Sequence, residues 1–399
     1  MPAAPFHETK ASDFPPTDPN HDTVFAPPPE PVTGLGVSRI LSPTAGVRVS
    51  PLCLGAMSIG DQWSGYMGGR GLDVEAGKAY LDEFVALGGN FIDTANNYQN
   101  EQSEFIIGEW LAERGIRDQI VLATKYTTPW KFRAGAKFPG TQVNYGGNSK
   151  KSLRLSVEAS LRKLQTDYID ILYVHWWDYS TSIEEVMQGL NELVRSGKVL
   201  YLGVSDTPAW VVAAANEYAK AHGLAQFVVY QGLWSLSARD LERDIIPMAR
   251  AYGMAIAPWG ALGQGKFKTP EELKERAKLR GNAPPTEHEL AVSAALGKVA
   301  AEIGGGANPA GVALAWTRAK VANVFPIVGG SSVDQLKENA KALDIKLSDE
   351  QVSFLDAAAP FDPGFPFSHF GTDPHYLPGG KPNGFILNAS GHIEFNTRL

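Results

Sequence analysis

Along residues 50–330, short apolar runs rich in Val, Ile and Leu alternate with longer stretches whose apolar positions recur at helical spacing. The runs predict strands at 52–55, 90–95, 120–126, 169–176, 201–206, 227–232, 255–260 and 324–330. The helical stretches fall at 75–88, 101–115, 150–165, 183–197, 209–223, 241–253 and 308–320, with one more at 332–343. Gly88, Gly115, Gly197, Gly223 and Gly253 stand at helix ends, where a left-handed cap favours glycine. Strand and helix alternating eight times over about 290 residues is the arithmetic of an α/β protein of the (β/α)8 TIM barrel class. A doubly wound sheet would also alternate, but its first strand normally runs into a glycine-rich turn. Here that strand continues into AMSIGDQWSGY.

Three stretches exceed the alternation: an insert at 127–149, a loop plus an extra amphipathic helix (288–304) within 261–307, and an aromatic, Pro- and Gly-rich stretch from about 361. Loops that follow barrel strands lie on the face where chemistry happens, so the long ones predict substrate enclosure there. Nine prolines fall in the first 31 residues, with few aliphatics between them. Such a segment buries too little apolar area to offset its ordering entropy, so residues 1–45 read as a Pro-rich flexible tail. The barrel itself is expected over 46–360. Residues 361–399 are expected to form an extension that covers the barrel or its active-site mouth.

Composition narrows the function. With 44% hydrophobic and 20% charged residues, the chain can bury a large core. Its net charge of −7 leaves no electrostatic footprint for nucleic acid or anionic lipid. The single cysteine, Cys53, excludes an intramolecular disulfide and suits a reducing compartment. No apolar run reaches the roughly 18–20 residues of a membrane span, and the first residues lack the pattern of a secretory signal. The eight histidines form no ligand spacing, so no metal is expected. The expectation is a cytoplasmic protein, monomer or homodimer, acting on a small molecule and not on nucleic acid or membrane.

Polar residues that end barrel strands are the informative ones. NFIDTA ends in Asp93, with Tyr98 five residues on; IVLATKY places Lys125 at the end of an apolar run; IDILYVHW ends in His175. Three successive strands thus deliver an acid, a lysine and a histidine to one mouth, with a tyrosine beside them. A lysine leaving an apolar strand needs a counter-ion, because an unpaired buried charge costs several kcal/mol. Asp93 is the natural partner. A phenol beside that ammonium is expected to have its pKa drawn down from about 10. It could then hand a proton to a developing alkoxide. Trp63, Tyr66, Trp130, Trp176, Trp177 and Trp234 lie in loops or at strand ends, and suggest a pocket for bulky or aromatic substrates.

At these residues the chain resembles the aldo-keto reductase family. GGNFIDTANNY matches the signature G-x-x-x-x-D-T-A-x-x-Y, ATK and YVHW match its lysine and histidine contexts, and GKVLYLGVSD matches a further signature. The likeness spans about residues 48–345. It is strongest toward the fungal aryl-alcohol dehydrogenase and norsolorinic acid reductase branch. The resemblance implies that Tyr98 is the general acid for carbonyl reduction, tuned by Lys125 and Asp93, with His175 orienting the carbonyl. It implies hydride delivery from C4 of NADPH, with NADH the lesser choice, bound without a Rossmann fold. Asp93, Ser205, Asp206 and Gln231 would lie against the nicotinamide end, with the ring stacked on Trp259. The loop Gly260, Ala261, Leu262, Gly263, Gly265 and Lys266 would close over the pyrophosphate. Gly330, Ser331, Ser332, Gln335 and Asn339 would wrap the adenosine 2′-phosphate at a helix N-terminus.

The chain departs from the family pattern twice. It has Ser205-Asp206 where Ser-Asn is usual, and Gly329, Ser332 and Gln335 where many members place a cation near the 2′-phosphate. Ser332 and Gln335 also fit a capping box, S-x-x-Q. GALGQGK mimics a phosphate loop, but Phe267 stands where that motif needs Ser or Thr. Two rival functions remain open from the sequence. One is a lyase using Lys125 as a Schiff base. The other is a cofactor-binding regulatory subunit of the potassium-channel β type.

Overall fold

A computed structural model describes residues 27–131, 141–269, 272–273, 284–377 and 380–395. The first part of the expected tail, the middle of the 127–149 insert and the last four residues lie outside this range.

Among the described residues, eight parallel strands form one sheet. They are β3 (Cys53–Gly55), β4 (Phe91–Asp93), β5 (Val121–Tyr126), β6 (Ile169–Val174), β7 (Val199–Ser205), β8 (Phe227–Leu233), β9 (Ala255–Trp259) and β10 (Ile327–Val328). β10 pairs with β3, and Ile256 exchanges backbone hydrogen bonds with Asn323 and Phe325, so the sheet closes on itself. The (β/α)8 barrel expected from the alternation is therefore present. The last strand is shorter than its apolar run because Pro326 has no N–H for the ladder. Val324 bonds back to the ninth strand, and only residues 327–328 pair forward with the third.

Helices α1 (Val74–Ala86), α2 (Gln102–Arg114), α3 (Lys150–Lys163), α4 (Ile183–Arg195), α5 (Ala209–His222) and α6 (Ile245–Ala251) follow the strands. The stretch expected as one helix at 241–253 is instead a 3-10 turn, Asp240–Glu242, and then α6. Pro247 accounts for the break, since a helix running through it would lack one donor and clash with the preceding turn. Helices α7 (Glu287–Ile303), α8 (Pro309–Lys320) and α9 (Val333–Lys341) complete the ring. A further helix, α10 (Asp349–Ala358), opens with a Ser348–Gln351 capping box.

The ordered barrel begins earlier than composition suggested. A hairpin, β1 (Arg39–Ser42) and β2 (Ala45–Val49), lies partly inside the stretch read as a tail. Its Leu41, Ala45 and Val49 are sealed from solvent and pack with Phe91, Val121, Ile171, Val229 and Phe325. Asn90, just before β4, bonds the Ser50 amide and the Arg48 carbonyl. The hairpin thus plugs the end of the barrel where the strands begin, which leaves the opposite end as the open mouth.

The extension runs on the outside. Phe361 lies against Arg239 and Arg243, Arg243 donates to the Asp362 and Pro363 carbonyls, and the Arg250 guanidinium sits 4.0 Å from the Tyr376 ring centroid. These contacts follow the α6 flank.

Candidate active site

Side chains alternate across a strand, so the last residues of β5 face opposite ways. Thr124 turns outward to Glu104 of α2, at 2.6 Å. Lys125 turns inward, in register with Tyr173 of β6, and has no exposed surface. Its three ammonium protons meet three acceptors: Asp93 Oδ1 at 2.5 Å, the Thr94 carbonyl at 2.7 Å and the Tyr98 hydroxyl at 3.3 Å. Asp93 is held from its other side by Gln231 Nε2, at 3.0 Å. The acid, lysine and tyrosine expected from strand ends are therefore one contact chain. Tyr98 sits on the loop that leaves β4, and its ring is 6.0 Å from that of His175, centroid to centroid and edge-on.

Burial alone would lower the pKa of Lys125, but Asp93 and Tyr98 beside it outweigh that, and the net shift is upward. An ammonium so held is protonated and fully engaged, which removes the free amine a Schiff-base lyase requires. The expectation for Tyr98 needs correcting. Burial pushes its phenol pKa up by more than the Lys125 charge pulls it down, so the net shift is also upward. Sequence spacing showed the cation but not the desolvation. Tyr98 is thus a neutral phenol whose oxygen accepts from Lys125 and whose proton is free for transfer. Burial, then the charge of Lys125, holds the His175 pKa well below its ordinary value, so the imidazole is neutral.

The aromatic residues separate into two groups. Trp63 stands edge-on to Tyr98 with ring centroids 6.1 Å apart, and its loop is tied by Gln99 Oε1 to the Trp63 amide. Trp176 is over a third exposed and donates its indole N–H to Thr128 Oγ1 at 3.0 Å. A cavity of about 650 Å3 lies beyond Trp176, bounded by Pro129, Val143, Gly147 and Asp178. The other expected pocket residues lie elsewhere. Trp130 is buried between Lys131, Lys163 and Tyr145. Trp234 is packed on Trp316 in the core, and Trp177 leans on the same core. Tyr66 points to solvent at 87% exposure. A turn sequence marks where an aromatic leaves its strand but not which way it then folds back.

The residues expected to hold a cofactor ring the same mouth. Ser205 Oγ donates to Asp206 Oδ2 at 2.9 Å, and Trp259 Nε1 to Asp206 Oδ1 at 3.3 Å. Asp206 has φ of 43°, a left-handed conformation that Asn and Asp tolerate better than other side chains. That accounts for the Asp here where Asn is usual. Gly260, Gly263, Gln264 and Gly265 all turn left-handed, and the loop they form is pinned by a Lys266–Glu289 ion pair at 2.6 Å. Lys266 is therefore engaged with α7. Ser58, which the sequence did not single out, donates to the Gly330 carbonyl at 2.6 Å.

Ser332 caps α9 by accepting the Gln335 amide, while Gln335 Oε1 takes the Ser331 amide, one residue short of the expected capping box. The amides of Ser332, Val333 and Asp334 donate to no partner among the described residues. Free N–H groups at a helix N-terminus are the donor set a phosphate requires, so these residues fit a phosphorylated nucleotide. Asn339 is buried one turn beyond Gln335.

A barrel mouth that carries a neutral phenol on a lysine–aspartate pair, beside a neutral imidazole and a helix end with unbonded amides, suits proton transfer to or from a carbonyl or alcohol oxygen. The family description "Aldo/keto reductase family" matches residues 51–360, and the chain belongs to that family. It is 51% identical over 381 residues to an NADP(+) aryl-alcohol dehydrogenase of Phanerodontia chrysosporium, covering 93% of this chain and 96% of that one. It is 53% identical over 357 residues to an aldo-keto reductase of Emericella nidulans, covering 88% of each. It is 52% identical over 344 residues to a norsolorinic acid reductase of the same organism, covering 86% of this chain and 87% of that one. The protein is an oxidoreductase using NAD(P)H on a small-molecule carbonyl. Among the described residues no helix is long and apolar enough to cross a membrane.

Proposed function

We propose that this protein reduces aryl aldehydes or a polycyclic aromatic ketone with NADPH, in the cytoplasm, with Tyr98 as proton donor. The Tyr98–Lys125–Asp93 contact chain carries the reading. Ser205, Asp206, Gln231 and Trp259 would hold a reduced nicotinamide, which would supply the hydride when bound. The loop 260–266 and the first turn of α9 would hold its phosphates, including a 2′-phosphate.

The chain's own residues do the rest. Tyr98 transfers its proton to the carbonyl oxygen as negative charge develops there, and Lys125 stabilises the phenolate left behind. Asp93 keeps Lys125 charged and in place, and Gln231 keeps Asp93 from turning away. His175 orients the carbonyl with one neutral N–H. Trp63 and Trp176 wall the approach with flat apolar surface, which favours aromatic substrates. The relatives' printed names, aryl-alcohol dehydrogenase and norsolorinic acid reductase, support the same class.

The test is NADPH consumption with an aryl aldehyde, comparing the wild-type chain with Tyr98→Phe. Turnover should fall by about 10³-fold in the variant, the scale of a lost general acid. Equal rates would remove Tyr98 from its role, and equal use of NADH would remove the 2′-phosphate site.

A further inference from the structure

A neutral imidazole carries one proton on one of two nitrogens, and only the right choice lets His175 donate to a carbonyl. Its Nδ1 lies 3.1 Å from Thr128 Oγ1, the same oxygen that accepts the Trp176 indole N–H. An indole nitrogen can only donate, so one lone pair of the hydroxyl is taken. The hydroxyl proton has no other acceptor among the described residues and falls on His175 Nδ1. The ring proton then resides on Nε2, which makes no hydrogen bond among the described residues. We infer that Thr128, oriented by Trp176, is a positioning residue that holds His175 as its Nε2–H tautomer, ready to donate to the reacting carbonyl.

The surrounding backbone is built to place that hydroxyl. Thr127 has φ of 104°, a conformation a β-branched residue adopts only under constraint. The constraint is visible: the Gly147 amide bonds the Thr127 carbonyl at 2.7 Å, and Asn148 Nδ2 bonds Thr127 Oγ1 at 3.0 Å. The same Asn148 amide group donates to the Trp176 carbonyl at 3.0 Å. Asn148 also exchanges two bonds with Asp178, at 2.8 and 2.7 Å, and is sealed from solvent. One buried asparagine thus fastens the loop that carries Thr128 to the loop that carries Trp176, so the indole of one meets the hydroxyl of the other beside His175 Nδ1.

This inference rests on the proposed role of His175 and is tested apart from it. In full-length protein with ¹⁵N-labelled histidine, the wild type should show His175 Nε2 protonated and Nδ1 unprotonated and hydrogen-bonded. In Thr128→Val the Nδ1 signal should move to that of an unbonded ring nitrogen, with part of the population shifted to Nδ1–H. Thr128→Ser should restore the wild-type signal. Turnover should fall about ten-fold in Thr128→Val, mainly in kcat, and about three-fold in Trp176→Phe, with Thr128→Ser near wild type. A wild-type ring protonated at Nδ1, or an Nδ1 signal that Thr128→Val leaves in place, would overturn the inference. Full turnover in His175→Ala would instead overturn the role of His175 itself, whatever the nitrogen spectrum shows.

Discussion

Lys125 and Lys163 are both buried beside carboxylates, and only Lys125 also touches a phenol. The Lys125 side chain has no solvent exposure and the Lys163 side chain has 4%. Lys163 lies 2.6 Å from Glu104 Oε2 and 3.4 Å from Glu101 Oε2, donates to the Asn96 carbonyl at 3.1 Å, and is roofed by the Trp130 ring. The Lys163–Glu104 contact misses hydrogen-bond alignment, so it acts as an ion pair. Around Lys163 every neighbour is structural: two carboxylates, a carbonyl and an indole face. Around Lys125 one of three neighbours is a phenol that can give up a proton at an open mouth. A buried ion pair alone is weak evidence for a site. What sets Lys125 apart is a titratable hydroxyl on its third proton.

The largest expected effect therefore falls on Lys125→Met. It should lower turnover by about 10³-fold, since the phenolate formed at Tyr98 loses its counter-charge. It should also destabilise the fold, because Asp93 is left buried with Gln231 as its remaining partner. Single-turnover rates and denaturant unfolding on the same preparation read the two losses separately. Wild-type turnover in this variant would erase the distinction between the lysines.

Lys163→Met should show the smaller, one-sided effect. Removing one partner from a buried pair costs about 3–5 kcal/mol of stability, here because Glu101 and Glu104 lose their shared cation. Lys131, at 3.2 Å from Glu101, softens that loss for one of the two carboxylates. The folded fraction should keep kcat within about three-fold of wild type. A collapse of turnover like that of Lys125→Met would mean that the Asn96 carbonyl contact places Tyr98, two residues on, and that the second network belongs to the site.

The same contrast marks what could be read from the chain. Asp93, Lys125 and His175 were legible because a polar residue ending an apolar strand breaks a period-two rule, and the barrel sends such ends to one mouth. Lys163 was not, since a lysine near the end of an amphipathic helix looks like any solvated one. Thr128 and Asn148 act through a strained backbone and bonds between loops, which no spacing in the chain announces. The β1–β2 hairpin was hidden by the proline-rich composition before it, although its apolar side chains plug the barrel. Trp130 and Trp234 carried the right residue type and the wrong direction. In each case the missing knowledge was burial, which depends on the whole fold.

Burial also sets the smallest effect, the dependence on pH. The groups facing Tyr98 are Lys125, Asp93, Asp206 and His175. Burial and the two carboxylates raise the phenol pKa, Lys125 lowers it, and the balance lies above the ordinary value of about 10. His175 titrates well below its ordinary value of about 6.5. Carbonyl reduction needs the protonated phenol and a neutral imidazole, so its rate should be level from about pH 6 to about pH 9. Alcohol oxidation needs the phenolate, which is scarce throughout that range, so its rate should keep climbing with pH and show no plateau near neutrality. The rates in both directions, measured with one buffer series, check the sign. A reduction rate that halves near pH 7 would place the Tyr98 pKa below the ordinary phenol value. That would make the pull of Lys125 stronger than burial.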